Sequence, residues 1–245
     1  MNEWTDKTMF LIGEDAVRKL AKSHVALVGV GGVGAYVAEF LGRAGVGHLT
    51  LLDGDEVSLS NCNRQILATR STLGQPKVEV MDRRLHDINP EVQTVLFHHF
   101  LQDTEAEGFV MRQGIFEQPL AYDIIVDAID TVPSKVSLLA SCHRHAQAVV
   151  SAMGAAGKYQ PDKVVSCDIS ETKQCSLARS VRKHLAKLEI HQGIPVVFSP
   201  EVPDLAHIPD SFRQSGERLV PGTISYMPAV FACHLASYVI QKLVQ

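Results

Sequence analysis

The sequence predicts an α/β fold, with a mostly parallel sheet flanked by helices and a strand and helix elaboration near the C-terminal end. Three observations predict it. The apolar run 24–30 has the length and continuity of a strand buried on both faces. A glycine-rich turn follows this run, and helical patterns alternate with the later apolar runs. This combination is typical of a Rossmann-like sheet.

The glycine-rich turn after the first strand indicates a site for phosphates. Gly29, Gly31 and Gly34 have the spacing of a dinucleotide-binding turn, and Gly32 makes the loop smaller still. A helical pattern starts at Val33, so its N-terminal N–H groups and positive dipole end would face a phosphate. The turn predicts binding of a nucleotide with a diphosphate.

The second strand, 49–52, ends at Asp53. An acidic residue at about this distance from the glycines accepts the hydroxyls of a ribose. The glycines and Asp53 together do not separate an ATP enzyme from a nicotinamide or flavin enzyme, because this fold hosts many functions. Both classes therefore stay open at this point.

The polar segment 53–65 and the helix predicted over 75–88 supply two candidate cations. Arg64 is a fork of donors that suits phosphate oxygens, although a surface salt bridge would also explain it. Lys77 opens the helix, where a lysine opposes the helix dipole and a phosphate partner would remove the conflict. A solvated lysine would explain the same position. Asn61 could bind the nucleotide or order the loop.

The strand predicted over 122–128 delivers two carboxylates to the edge of the sheet where ligands collect. Asp130 is placed to hold Mg²⁺ on a triphosphate, because Mg²⁺ takes a carboxylate together with phosphate oxygens. Asp127 could instead be a buried structural carboxylate that accepts from backbone N–H groups. Thr131 follows Asp130 directly.

These motifs together resemble the nucleotide site of the ubiquitin-activating-type adenylyltransferases, which activate a carboxylate as an acyl-adenylate. The resemblance covers most of residues 7–155. It implies that Asp53 binds the ribose, that Asn61, Arg64 and Lys77 surround the phosphates of ATP, and that Asp130 holds Mg²⁺. The expected catalytic residues are Arg64, Lys77 and Asp130, within an ATP site made of Gly29, Gly31, Gly32, Gly34, Asp53, Asp55, Asn61, Asn63, Arg64, Lys77, Asp130 and Thr131.

The five cysteines narrow the choice within that superfamily. None forms a Cys-x-x-Cys pair, so the tetrathiolate zinc site common among these enzymes is not expected. No cysteine lies in an evident thioester context, and Cys62, nearest to the site, is interpreted as a small filler. An odd count without a signal peptide favours reduced thiols and a cytoplasmic location.

A second resemblance, to the bacterial tRNA threonylcarbamoyladenosine dehydratases, spans nearly the whole chain. It implies an enzyme that uses ATP to cyclise the threonylcarbamoyl group on the adenosine beside the anticodon, through an acyl-adenylate and without an enzyme thiol. The resemblance rests on the segments 11–14, 127–131, 151–155, 175–185, 196–201 and 222–231.

Lys7 departs from this family. Related enzymes have an arginine at its position, which reaches the ATP of the partner subunit, and a lysine lacks the fork of an arginine. A contact in trans would require a homodimer, which we expect. The departure also keeps open a non-catalytic nucleotide-binding scaffold. Two competing functions stay open as well: activation of the C-terminus of a ubiquitin-like sulfur carrier, and nicotinamide-dependent oxidoreduction.

Composition bounds the remaining expectations. With 245 residues, 46% of them hydrophobic, the chain can form one domain, with a nucleotide-binding part over 1–159 and a C-terminal elaboration over 160–245 on the tRNA side. The longest apolar stretch, 227–239, is too short and polar to span a bilayer, so no integral membrane association is expected. Sulfur-transfer accessory proteins are further candidate partners that the residues do not test.

The net charge of −4 is unusual for a protein that binds tRNA. The basic residues are clustered, however. Arg179, Arg182 and Lys183 share roughly one face of the helix predicted over 175–185, and we interpret them as part of a tRNA contact surface. An ordinary solvated helix face would explain them equally well.

Overall fold

The computed structural model describes residues 3–204, 206–207 and 221–245. The strands are β1 His24–Val28, β2 His48–Leu52, β3 Gln93–Phe97, β4 Ile124–Asp127, β5 Val149–Ala152, β6 Val165–Asp168 and β7 Pro195–Phe198. The helices are α1 Asp6–Ile12, α2 Glu14–Lys22, α3 Gly34–Ala44, α4 Lys77–Ile88, α5 Ala106–Met111, α6 Val132–Arg144, α7 Ser176–Ala186 and α8 Tyr226–Val244.

The seven strands form one sheet in the order β3-β2-β1-β4-β5-β7-β6. All neighbours are parallel except β6, which pairs antiparallel with β7 at the edge. The expected mostly parallel α/β sheet is therefore confirmed. The strand order reverses between β1 and β4, and this reversal opens a crevice at the carboxyl ends of these strands, where α/β proteins bind ligands.

The two faces of the sheet bury separate apolar clusters. Within β1, Val25 and Leu27 face the cluster under α3, α4 and α8, whereas Ala26 and Val28 face the cluster under α5, α6 and α7. Because both faces are covered, every residue of β1 is buried. This burial explains why the strand has a continuous apolar sequence instead of an alternating one.

The helix α8 extends beyond the apolar stretch 227–239 at both ends. At 19 residues, its length and composition alone would suit a membrane span. Phe231, Leu235 and Val239 are nevertheless fully buried, and the helix packs on α3 and on the strands β5 and β7. The helix α8 is therefore a core element of the α/β unit.

Candidate nucleotide site at the carboxyl edge of the sheet

Two glycines of the turn after β1 are required by the packing of the chain itself. Gly29 has φ +91°, and a Cβ atom there would lie 2.8 Å from the carbonyl oxygen of Ala128. A Cβ atom on Gly34 would lie 1.8 Å from the carbonyl oxygen of Gly29. The absence of both side chains lets β1 approach the end of β4 and lets α3 start directly above the turn.

The remaining two glycines of the turn leave room for a Cβ atom. A Cβ atom on Gly31 would lie 3.6 Å from Gln65 Nε2, and one on Gly32 would lie 3.4 Å from Pro228 Cβ, which are ordinary contact distances. The packing of the protein therefore does not demand glycine at either position. Their missing side chains keep the space in front of the N-terminus of α3 free, as a chain of phosphates requires.

Asp53 links the glycine turn to the next loop. Its Oδ2 accepts a hydrogen bond from the backbone N–H of Val30 at 2.6 Å, and its Oδ1 accepts one from the backbone N–H of Asp55 at 2.8 Å. Burial raises the pKa of Asp53, although the charge of Lys77 and the two backbone donors oppose the rise. Each carboxylate oxygen keeps a further lone pair, with which it can accept from a ribose hydroxyl.

Lys77 lies buried at the first position of α4, and its charge is compensated within the protein. Lys77 Nζ lies 2.5 Å from Asp55 Oδ2. The backbone N–H of Lys77 also donates to the carbonyl oxygen of Asp55 at 3.0 Å. A carboxylate of the chain therefore offsets the conflict of this lysine with the helix dipole, and the burial of Lys77 rules out the alternative of a solvated lysine. The contact of Lys77 with a phosphate stays a prediction.

The turn 58–64 places Arg64 beside the glycine turn. Arg64 Nη1 donates to the carbonyl oxygen of Ser60 at 2.9 Å and to Asn63 Oδ1 at 2.8 Å. Arg64 Cγ would lie 3.8 Å from a Cβ atom on Gly32. Asn61 orders the loop, because its Oδ1 accepts from the backbone N–H of Ser58 at 3.0 Å. The side chain of Arg64 thus lies beside the glycine turn, and its contact with a phosphate stays a prediction.

Asp130 and Thr131 lie exposed just beyond the end of β4. Within the described part of the chain, no hydrogen bond or ion pair engages the Asp130 carboxylate. No group of three or more His, Cys, Asp or Glu side chains among these residues could hold a metal ion. A magnesium ion at this edge would therefore be held by Asp130 together with phosphate oxygens, and the free carboxylate fits that role.

Asp127 is a buried structural carboxylate, which is one of the two roles that the sequence left open for it. Its Oδ1 accepts from the backbone N–H of Ile129 at 3.0 Å, and its Oδ2 accepts from Ser151 Oγ at 2.6 Å. Lys135 Nζ lies 2.7 Å from the same Oδ2 and donates to the carbonyl oxygen of Ile129 at 2.8 Å. Both charged side chains are fully buried. This cluster shapes the turn that presents Asp130.

Sequence reasoning missed two residues of the site. Lys135 carries a weak signal, because it lies at helical spacing with the apolar Leu138, Leu139 and Cys142 and so belongs to the buried face of α6. Gln65 carries none. Its side chain is buried behind Gly31, and its Oε1 has no hydrogen-bond partner in the described residues.

The predicted tRNA and trans residues lie on α7 and α1, away from the glycine turn in the sequence. On α7, Arg179 and Lys183 are exposed, whereas Arg182 is half-buried and donates to the carbonyl oxygen of Thr172 at 2.8 Å. The guanidinium of Arg182 is therefore partly engaged by the protein. Lys7 lies on α1, with its Nζ 5.6 Å from the ring centroid of Phe10.

The glycine turn and the mostly parallel sheet together are typical of a nucleotide-binding protein of the Rossmann-like class. The sequence model of the ThiF family matches residues 5–245, and the chain belongs to that family.

Among its relatives, the tRNA threonylcarbamoyladenosine dehydratase of Bacillus subtilis is 35% identical over 242 residues, covering 96% of this chain and 92% of that protein. The molybdopterin-synthase adenylyltransferase of Escherichia coli is 38% identical over 128 residues, which cover 52% of this chain and 48% of that one.

The fold also matches a solved structure of a tRNA threonylcarbamoyladenosine dehydratase. The tRNA N6-threonylcarbamoyladenosine dehydratase of Escherichia coli in complex with ATP superposes with a TM-score of 0.85 at 31% identity. The match covers 97% of this chain and 92% of that one. The expected resemblance to these dehydratases is thus confirmed along nearly the whole chain, whereas the similarity to the molybdopterin-synthase adenylyltransferase covers about half of it.

Proposed function

We propose that this protein catalyses the ATP-dependent cyclising dehydration of N6-threonylcarbamoyladenosine in tRNA. The observation that carries the proposal is the convergence at one edge of the sheet of an open glycine turn, Arg64 and the free carboxylate of Asp130. In support, the sequence matches the dehydratase of Bacillus subtilis and the fold matches that of Escherichia coli, each over 92% of that protein's length.

The proposed reaction has two steps. In the first, a carboxylate oxygen of the threonyl group attacks the α-phosphorus of ATP, the bond to the bridging oxygen breaks, and pyrophosphate leaves. In the second, a nucleophile of the same substituent attacks the activated carbonyl carbon and AMP leaves with the former carboxylate oxygen. A proton is released and the nucleoside has lost one water. Because the nucleophile is intramolecular, positioning alone can contribute about 7–11 kcal/mol.

Arg64 and Lys77 carry the charge stabilisation in the first step. Negative charge builds up on the α-phosphate and on the departing pyrophosphate, and fixed cations stabilise it best in a site that needs no rearrangement. Arg64 is held by two hydrogen bonds from its own guanidinium. Lys77 is held by Asp55, so phosphate oxygens would share this lysine with the carboxylate. Magnesium held by Asp130 would neutralise the leaving group.

A homodimer is part of the proposal, because Lys7 can act in trans only on a second copy. The helix α1 supports it. The described residues of this helix include no buried side chain, and Phe10 and Leu11 are 70% and 85% exposed. A helix with such exposed apolar side chains is suited to cover another subunit. Light scattering coupled to size exclusion tests the assembly, and a monomer at working concentration would exclude the trans role of Lys7.

The exposed cations of α7 are proposed as tRNA contacts. Lys183→Glu should weaken tRNA binding and lower the slope of log affinity against log salt concentration, because fewer counterions are released when a phosphate contact is lost. Unchanged affinity and slope would remove α7 from the contact surface. Arg182 is the weaker candidate since Thr172 already engages its guanidinium.

The location and the accessory partners are also proposals. All five cysteines are free thiols, which fits the reducing cytoplasm. Sulfur-transfer accessory proteins remain candidate partners, and co-purification from the cytoplasm would test both points.

The test of the function weighs the product. The protein is incubated with ATP, Mg²⁺ and tRNA bearing threonylcarbamoyladenosine, and the digested nucleoside is analysed by mass spectrometry. Loss of one water that depends on ATP supports the proposal. Retention of the full mass despite ATP binding rejects it and makes a protein C-terminus the next carboxylate to test. Asp130→Ala and Arg64→Ala should abolish the loss, whereas the exposed Lys163→Met should not.

A further inference from the structure

Two tyrosines far apart in sequence lie side by side at the carboxyl edge of the sheet. The ring centroids of Tyr159 and Tyr226 are 6.3 Å apart with an interplanar angle of 63°. The hydroxyl of Tyr226 donates to the backbone carbonyl oxygen of Tyr159 at 2.8 Å. The side chain of Tyr159 is 65% exposed. A large aromatic ring is thus held at the surface beside a second ring.

The backbone that carries Tyr159 is fixed by Glu201. The Glu201 carboxylate accepts from the backbone N–H of Tyr159 at 2.9 Å and from that of Gln160 at 2.9 Å. The Glu201 carbonyl oxygen accepts from Lys158 Nζ, and Lys158 is itself buried. An exposed ring on a fixed backbone loses little conformational entropy when a flat partner binds it. This arrangement favours recognition of a planar ligand.

The tyrosine pair adjoins the nucleotide site. Asn63, which contacts Arg64, donates to the carbonyl oxygen of Thr223 at 3.0 Å, just before α8 begins. Pro228, the neighbour of Gly32, lies two residues after Tyr226, a rise of about 3 Å along the helix axis. The start of α8, which carries Tyr226, therefore lies near the glycine turn and the loop of Arg64.

The helix α7, which carries exposed cations, packs on the loop between Gly154 and Tyr159. A Cβ atom on Gly154 would lie 3.6 Å from the Cβ of Leu177, so the first turn of α7 packs on the loop that leads to Tyr159. Arg179 and Lys183 are exposed further along this helix. An exposed aromatic ring together with exposed cations on a neighbouring helix matches the chemistry of single-stranded RNA, which offers flat bases on a phosphate chain.

We propose that Tyr159 and Tyr226 form a stacking platform for an unpaired base of the anticodon loop, next to the adenosine that reacts. The inference rests on the proposed function. The reacting carboxylate is joined to the adenine N6 by five bonds, which reach about 6 Å when extended. The adenosine must therefore come close to the α-phosphate and leave its stack in the loop. When the adenosine leaves the stack, the base next to it loses a stacking partner. An aromatic ring beside the phosphate site can take the place of that partner.

Binding of an anticodon stem-loop RNA that carries threonylcarbamoyladenosine tests the platform, with fluorescence anisotropy as the readout. Tyr159→Leu should weaken the affinity by roughly 5- to 150-fold, the range for the loss of one stacked base. Tyr159→Phe is the matched control and should keep wild-type affinity, since the ring remains. Both variants should bind ATP as the wild type does. The salt dependence should not change for Tyr159→Leu, in contrast to Lys183→Glu.

Abasic substitutions in the RNA loop separate stacking from a structural role. At one loop position, removal of the base should weaken wild-type binding and cost Tyr159→Leu nothing further. The platform is overturned if the losses in affinity from Tyr159→Leu and from base removal are additive at every loop position. It is also overturned if Tyr159→Leu binds the RNA with wild-type affinity. The dehydration assay on the same RNA identifies which proposal fails. A wild type that dehydrates this RNA while Tyr159→Leu binds normally rejects the platform alone, and a wild type that neither binds nor dehydrates it rejects both.

Discussion

Replacement of Lys135 by Met tests whether a buried ion pair holds the turn that carries Asp130. Lys135 Nζ and Asp127 Oδ2 are 2.7 Å apart, and both side chains are fully shielded from solvent. Ser151 Oγ and the backbone N–H of Ile129 complete the hydrogen bonds of the carboxylate. Met has nearly the length of Lys without its charge, so the substitution leaves Asp127 in an apolar interior without a counter-ion.

The cost follows from the burial of the pair. Removal of one partner of a buried ion pair destabilises a protein by about 3–5 kcal/mol, because the remaining charge is uncompensated. For a chain of this size, each kcal/mol lowers the melting temperature by roughly 2–4 °C. We therefore expect Lys135→Met to melt about 6–20 °C below the wild type. The double variant Asp127→Asn/Lys135→Met should recover most of this loss, since no buried charge remains.

Urea unfolding followed by circular dichroism measures the free energy of unfolding of the wild type, of the single variants Asp127→Asn and Lys135→Met, and of the double variant. Lys163→Met is the control for the chemical change, because Lys163 is exposed, and it should stay within about 0.5 kcal/mol of the wild type. The reasoning is refuted if Lys135→Met lies within about 1 kcal/mol of the wild type. A double variant that is as unstable as the single one would refute it equally.

Three further predictions concern the glycine turn, a buried histidine and the thiols. Gly34→Ala should abolish ATP binding, because a Cβ atom there would lie 1.8 Å from a backbone oxygen. Gly31→Ala should fold as the wild type does. Melting temperatures measured with and without ATP distinguish the two variants. Burial lowers the pKa of His24 below 6.5, so the unfolded chain binds the proton first and stability falls as the pH drops below about 6.5. Urea unfolding at several pH values should show a shallower fall in His24→Gln, and equal slopes would contradict the assignment. Ellman's reagent should label the two exposed thiols, Cys62 and Cys233, before the others, and Cys62→Ser should lower the amplitude of this fast phase. Cys142, whose pKa burial raises to about 12, should react only after unfolding, and its labelling in the native protein would disprove its burial.

The order of strands and helices in the nucleotide-binding part could be predicted because its signals are local. A strand covered on both faces must be apolar throughout, and the turn after β1 excludes side chains at Gly29 and Gly34 whatever lies elsewhere. The ends of elements were less certain, because hydrogen bonds to distant segments determine them. β4, for example, starts at Ile124, and Asp123 before it bonds to His24 both through its side chain and through its backbone N–H.

The edge strand β6 could not be predicted from its residues. Val165 and Ser166 are exposed, so the strand has no buried apolar pattern to mark it. It is extended because it pairs antiparallel with β7, which lies about thirty residues later in the chain. The end of β3 also depends on a distant segment. The strand ends at Phe97, and the ring of His98 after it contacts the carbonyl oxygen of Gly54.

The sequence by itself determined the class of this protein, since the glycine turn, Arg64 and Asp130 occur in motifs whose spacing constrains the backbone locally. Only the tertiary structure decided which residues share the site with them. Lys135 meets Asp127 across a helix and a strand, and Tyr226 meets Tyr159 across 67 residues of chain. Such contacts arise because the parallel strands bring the loops that follow them to one edge of the sheet, and no local pattern in the chain encodes which loops become neighbours there.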